Sequence, residues 1–219
     1  MTTDREYPAT IARALEYEMV IKKSRFITHL SPVTSIDEAE SIIAAIKKKA
    51  WDATHNCSAM VTGLLADQAR SSDDGEPSGT AGIPMLEVLR RRTLTDIVAV
   101  VTRYYGGVKL GAGGLVRAYS SAVSEALDTA SFVERRMLRQ FTVAVPHADA
   151  GRIENLVRDW VESHEASLSD TEYGAQAVLS VWIPPSQASG FHDLIAAASA
   201  GSLMALSGDE RIIDIPAAL

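Results

Sequence analysis

The stretch Gly106-Gly107-Val108-Lys109-Leu110-Gly111-Ala112-Gly113-Gly114 sets five glycines between a strongly apolar segment and an amphipathic one. Glycine permits positive φ and lets a partner approach the backbone closely. A helix that starts after such a loop presents unpaired N–H groups that favour anions. Lys109 stands in the loop, Arg117 in the first turn of the expected helix, and Arg103 near the end of the preceding strand. Cations at a helix N-terminus oppose its dipole at a cost of ~0.3–1 kcal/mol each, and a local rule broken without visible gain marks a place to look for function. Tyr104 and Tyr105 alternate faces, so one can pack inward while the other stacks on a base. The chemistry expected is an anion or RNA contact built from Arg103, Tyr104, Tyr105, Lys109, Gly111, Gly113, Gly114 and Arg117, with a loop whose glycines serve geometry alone as the alternative. G-x-x-x-x-G-K-[ST] is not matched, and neither is G-x-G-x-x-G, where Val116 takes the last glycine position.

A second loop, DDGEPSGTAG, carries Asp73, Asp74, Glu76, Ser78 and Thr80. Its three carboxylates are the kind of oxygen ligand that Mg²⁺ takes, but their spacing matches no EF-hand. Capping a helix N-terminus and pairing with the arginines are the preferred roles, and no metal is assigned. His55 and Cys57 lie two apart on an expected strand and share a face. A Cys–His couple is the minimal recipe for a nucleophile; a packed thiol beside a hydrogen-bonded imidazole is the preferred reading. The remaining histidines, His29, His147, His164 and His192, show no metal-ligand spacing. No cofactor is called for. Trp51, Trp160 and Trp182 read as core or core-edge residues.

The elements that must hold these loops can be read from periodicity. Residues 12–33 predict two strands around a turn near Lys22–Ser24. Ser35 and Glu38 form a capping box ahead of a helix that buries Ile42, Ile43 and Ile46 and ends in Lys47, Lys48 and Lys49. ATHNCSAMVTGLL predicts a strand and SSDDGEPSGTAG a loop; a short helix follows with Pro84 in its first turn and Met85, Leu86, Val88 and Leu89 inward. DIVAVVTRYY, apolar on both faces, predicts a central strand. Leu115, Val116, Tyr119, Ala122, Val123, Ala126 and Leu127 mark the inner face of the helix after the glycine loop. Beyond a linker near Phe132–Arg136 the order reads βαββαβ, the ferredoxin-like unit: a strand at RQFTVAVP, a helix over 148–163, a hairpin turning at Gly174, a helix over 186–200 and a strand near Glu210–Ile215. The fold class is therefore α+β with two domains, residues 1–134 and 137–219.

With 219 residues, 47% hydrophobic and 22% charged, the chain sits in the ordinary globular range. No apolar run approaches the ~18 residues of a membrane helix, and the opening MTTDREYPATIAR has no apolar core of a secretory leader. One cysteine rules out an internal disulfide framework. A soluble cytoplasmic protein is expected, with no membrane partner. The net charge of −7 is unevenly placed: residues 1–136 hold 17 basic and 17 acidic groups, leaving 4 and 11 for residues 137–219. An acidic surface repels phosphate, so any polyanion contact belongs to the first segment.

Taken together, DDGEPSGTAG, VTRYYGGVKLGAGGLVRAY, KKSRFI at Lys22–Ile27 and ATHNCSA at Ala53–Ala59 resemble the IMPACT family, in its bacterial YigZ-type branch, over essentially the whole chain. The resemblance implies an N-terminal domain like domain IV of elongation factor G (the ribosomal protein domain 2-like α/β sandwich) and a ferredoxin-like C-terminal domain like its domain V. It also implies a non-catalytic regulator in translational control or stress response, with RNA, the ribosome or a translation-control protein as partner. The motif falls on Asp73, Asp74, Gly75, Glu76, Pro77, Ser78, Gly79, Thr80, Arg103, Tyr104, Gly106, Gly107, Lys109, Gly111, Gly113, Gly114, Arg117 and Tyr119, and Lys22, Arg25 and His55 are added as further contacts. Asp73, Asp74 and Glu76 would hold the loops, and the acidic C-terminal segment would meet protein or act as a spacer. A protein-interaction regulator using the same patch and a nucleotide-binding enzyme or hydrolase at the same loops stand as the alternatives.

Overall fold

A computed structural model describes residues 7–216. The chain divides into two compact units, the first running to Glu134 and the second spanning Arg135–Ile215. The elements of the first are β1 (Thr10–Ile11), β2 (Leu15–Ile21), β3 (Ser24–Pro32), α1 (Ile36–Lys49), β4 (His55–Thr62), β5 (Gln68–Ser72), α2 (Gly82–Arg91), β6 (Ile97–Tyr104), α3 (Ala112–Asp128) and the start of β7 (Phe132–Val145). Five strands form an antiparallel sheet in the order β2-β3-β6-β4-β5, and β1 pairs with β7 through Thr10–Val133 and Ile11–Phe132.

β6 is central because it feeds two cores. Ile97, Ala99 and Val101 face Met85 and Leu89 of α2 and Tyr119, Ala122 and Val123 of α3. Val98 and Val100 alternate to the other face, where they join Met60, Ala39 and the Ile42, Ile43 and Ile46 stripe of α1. This alternation is why the strand reads apolar throughout. α1 starts at Ser35, whose Oγ accepts from Glu38 N at 3.2 Å while the Glu38 carboxylate accepts from Thr34 N at 2.7 Å.

The second unit continues β7 into α4 (His147–Ser163), β8 (Ser167–Leu168), β9 (Glu172–Tyr173), β10 (Ala177–Ile183), α5 (Ala188–Ala198) and β11 (Ala205–Pro216). β7 lies between β11 and β10, with β8 and β9 on the far side of β10, the ferredoxin-like arrangement. Ile153 and Val157 of α4 and Phe191 and Ile195 of α5 pack on Phe141, Val143, Leu179 and Val181.

Several expectations need correction. The boundary between the units falls within the expected linker at Phe132–Arg136, but that segment is strand, not a separate connection: β1 pairs with its start, and its charges are held by Arg135–Asp214 and Arg136–Glu165 ion pairs. Ser71 and Ser72 belong to the polar strand β5, which sits at a sheet edge and therefore lacks an apolar alternation. Leu64 and Leu65 do not extend β4; Gly63 turns the chain at φ 95° and leaves both exposed. Val116 lies on the outer side of α3, and Trp51 is 82% exposed just after α1. Among the described residues, no helix is long and apolar enough to cross a membrane.

Candidate functional site

The end of β6, the start of β4, the Glu76–Pro77 turn, the glycine loop and the first residues of α3 line one cleft of about 350 Å³. The DDGEPSGTAG loop is built around its acids. Asp73 Oδ1 accepts from Ala81 N (3.0 Å) and Gly82 N (2.8 Å), and Oδ2 accepts from Gly79 N (2.8 Å). The carboxylate thus fills the N-terminus of α2. Partial burial works against its charge, but the three N–H donors outweigh it and hold the Asp73 carboxyl below its ordinary range. Asp74 takes Lys47 Nζ at 2.6 Å and Asn56 N at 2.7 Å, and its carbonyl receives His55 Nδ1 at 2.8 Å. Thr80 Oγ1 donates to Pro77 O at 2.6 Å, closing the turn, whereas Ser78 is exposed.

Glu76 enters the floor of the cleft. Its Oε1 receives Arg103 Nη1 at 2.5 Å and the Tyr119 hydroxyl at 2.8 Å. The ion pair is nearly closed to water, with the Arg103 side chain 6% and the Glu76 side chain 3% exposed. Arg103 is also sandwiched between the Phe26 and Tyr105 rings, 5.5 Å from each centroid. Arg103 is therefore no surface phosphate contact: its position on β6 points it at the α2–α3 layer, where Glu76 neutralises it. Tyr104 points to the opposite face, as alternation requires; its hydroxyl donates to Asp52 at 3.2 Å and the Arg25 guanidinium covers its ring. Arg25 is itself bound in a two-point pair with Glu18 (2.7 and 3.0 Å). Tyr104 and Arg25 thus lie apart from the cleft, while Tyr105 stands exposed at its rim.

The opposite wall is the N-terminus of α3. Its first intrahelical bond runs from Leu115 N to Gly111 O (2.9 Å), so the N–H groups of Ala112, Gly113 and Gly114 precede the ladder, and among the described residues no side chain caps them. Gly111 adopts φ 72°, which only glycine does at little cost. Lys109 and Arg117 are exposed and form no ion pair among the described residues, and Arg117 folds back beside Gly113, 3.8 Å from where a Cβ would sit. Gly106 is required on other grounds, since a Cβ there would stand 2.0 Å from the Lys23 carbonyl carbon. That close approach brings the exposed Lys22–Lys23 turn against the glycine loop. Lys23 was missed from sequence because only the Gly106 contact reveals the neighbourhood. The apolar wall of Pro77, Leu110 and Leu115 was missed for the same reason.

Cys57 is fully buried and donates its S–H to Asp73 O at 3.0 Å; burial pushes the thiol up to about 12. It supplies no thiolate nucleophile. Among the described residues, no group of three or more His, Cys, Asp or Glu side chains is placed to hold a metal.

The comparisons agree with this architecture. Residues 22–127 match the Impact N-terminal domain and residues 143–202 a domain of unknown function, DUF1949. The chain is 54% identical over 150 residues to IMPACT family member YvyE of Bacillus subtilis, covering 68% of this chain and 69% of that one. It is 37% identical over 192 residues to IMPACT family member YigZ of Escherichia coli, covering 87% and 92%. A crystal structure described as that of an hypothetical protein matches at 35% identity and a TM-score of 0.58, over 93% of this chain and 98% of that one. With both of its domains matched in order and most of its length shared with these relatives, the chain belongs to the IMPACT family.

Proposed function

We propose that the protein acts by binding rather than turnover, as a translation-associated regulator that grips the phosphates of structured RNA, on the ribosome or free, through the face formed by Lys109, Arg117 and the Lys22–Lys23 turn. One observation carries this reading. α3 begins with open N–H groups and, in place of the acids that normally stabilise such an end, sets two cations there that no carboxylate of the described residues neutralises. An anion held between them satisfies both the N–H groups and the cations. Gly111, Gly113 and Gly114 keep the backbone bare enough for the contact, and Tyr105 is placed to stack on a base. Asp73, Asp74, Glu76 and Arg103 act as the frame. IMPACT membership supports the link to translation.

The test is RNA binding by the full chain against the Lys109→Ala/Arg117→Ala variant over a salt series. Binding that falls steeply with salt and is lost in the variant supports the reading. Affinity that is unchanged in the variant, or an acidic protein captured with little salt response, refutes it.

A further inference from the structure

Two nearly closed polar side chains in the cleft are incompletely partnered. Arg103 Nε has no hydrogen-bond partner among the described residues although its side chain is 6% exposed. Glu76 Oε2 receives no hydrogen bond among the described residues; its nearest cation is His55 Nε2, 3.8 Å away. Arg103 Nε is a buried donor and takes no part in ligand contact, whereas Glu76 Oε2 is not sealed off and keeps a face open to the cleft, where a donor on a ligand can reach it. His55 donates through Nδ1 to the Asp74 carbonyl, so in its neutral form Nε2 is an acceptor beside an acceptor carboxylate. The floor of the cleft therefore asks for a hydrogen-bond donor. The α3 end asks for an anion, and between them lie Pro77, Leu110, Leu115 and the Tyr105 ring. A volume of about 350 Å³ lies at the low end of the ~300–1,000 Å³ typical of ligand pockets, room for one small ligand.

We propose that this cleft holds a single phosphorylated nucleotide whose base carries an exocyclic amino group, with phosphate at the Ala112–Gly114 N–H groups and the amino group at Glu76 Oε2 and His55 Nε2. The apolar wall and Tyr105 receive the flat faces of the base. A carboxylate accepting from a base amino group is an established recognition pair, and it sets the ligand's direction, because Glu76 repels phosphate from the floor. The inference rests on the anion reading of the α3 end, and deepens it by naming what enters beneath the surface contact. A free mononucleotide and the 5′-phosphorylated end of an RNA share this chemistry.

Titration calorimetry of the full chain with AMP, IMP and adenosine tests it. AMP binding is expected to exceed IMP binding about tenfold or more, because the keto oxygen of IMP faces the carboxylate. Adenosine, lacking phosphate, is expected to lose a similar factor. Pro77→Trp, at an exposed position on the cleft wall that takes no part in the α3 phosphate contact, is expected to abolish AMP binding while long RNA still binds at the α3 end through Lys109 and Arg117. A short 5′-phosphorylated RNA beginning with A that competes with AMP supports the RNA end as the source; AMP binding without such competition supports the free nucleotide. No heat with millimolar AMP, equal affinity for AMP, IMP and adenosine, or AMP binding untouched by Pro77→Trp overturns the proposal. AMP binding by a chain that holds no long RNA supports the cleft proposal and refutes the surface reading instead.

Discussion

Replacing Arg103 by methionine removes the partner of a carboxylate that has almost no access to water. Glu76 would keep the Tyr119 hydroxyl at 2.8 Å and lose the guanidinium at 2.5 Å. Breaking a buried pair from one side costs about 3–5 kcal/mol, because the remaining charge stays buried and uncompensated. The lost contacts to the Phe26 and Tyr105 rings act in the same direction. With an m-value of about 2 kcal/mol/M in urea, the unfolding midpoint of the first unit should fall by about 1.5–2.5 M. The double variant Glu76→Met/Arg103→Met removes both charges and should recover most of that loss, since apolar residues often replace a buried pair at little cost. Urea titrations followed by far-UV circular dichroism give the midpoints of the native chain, of Arg103→Met and Glu76→Met singly, and of the double variant. A loss below about 1 kcal/mol for Arg103→Met, or a double variant as unstable as the sum of its singles, would refute the assignment of Arg103 to the frame.

Lys109→Ala and Arg117→Ala should each leave the fold intact and raise stability slightly, by about 0.3–1 kcal/mol, because each removes a cation from the positive end of α3; thermal melts at low salt read this. Asp73 has a lowered carboxyl pKa, so its contribution is present above the unfolded value near 3.9 and is lost as the pH falls through its folded value. Asp73→Asn should therefore cost about 1–3 kcal/mol at pH 7 and flatten the acid limb of a stability profile measured by urea midpoints between about pH 2.5 and 7. Gly106→Ala drives a methyl into the Lys23 backbone and should lower stability by more than about 2 kcal/mol, seen in the same titrations. Cys57 should resist thiol reagents in the native state and react only on unfolding, as colorimetric thiol titration with and without urea would show.

How far the sequence could be read depended on whether a signal was local. The central place of β6 was legible in its unbroken apolar run, and the α3 inner stripe in its spacing, because burial on one or two faces leaves a periodic trace. The open start of α3 was legible in the misplaced Arg117 and the glycines around it. Arg103 carried no such trace: a charged residue at the end of an apolar strand looks the same whether it faces solvent or Glu76, which lies 27 positions away. Alternation along β6 said that Tyr104 and Tyr105 part company, but not which one meets the cleft. Trp51 and the polar strand β5 show the opposite failure, an apolar side chain left in water and a strand whose sheet-edge place needs no apolar face.

The most direct measurement is the salt dependence of RNA affinity for the native chain and for Lys109→Ala/Arg117→Ala. If one phosphate is held between the two cations at the start of α3, the slope of log K against log salt should become shallower by about 0.7–0.9 in the variant, with weaker binding at every salt concentration. Superimposable lines for the two proteins would contradict the account.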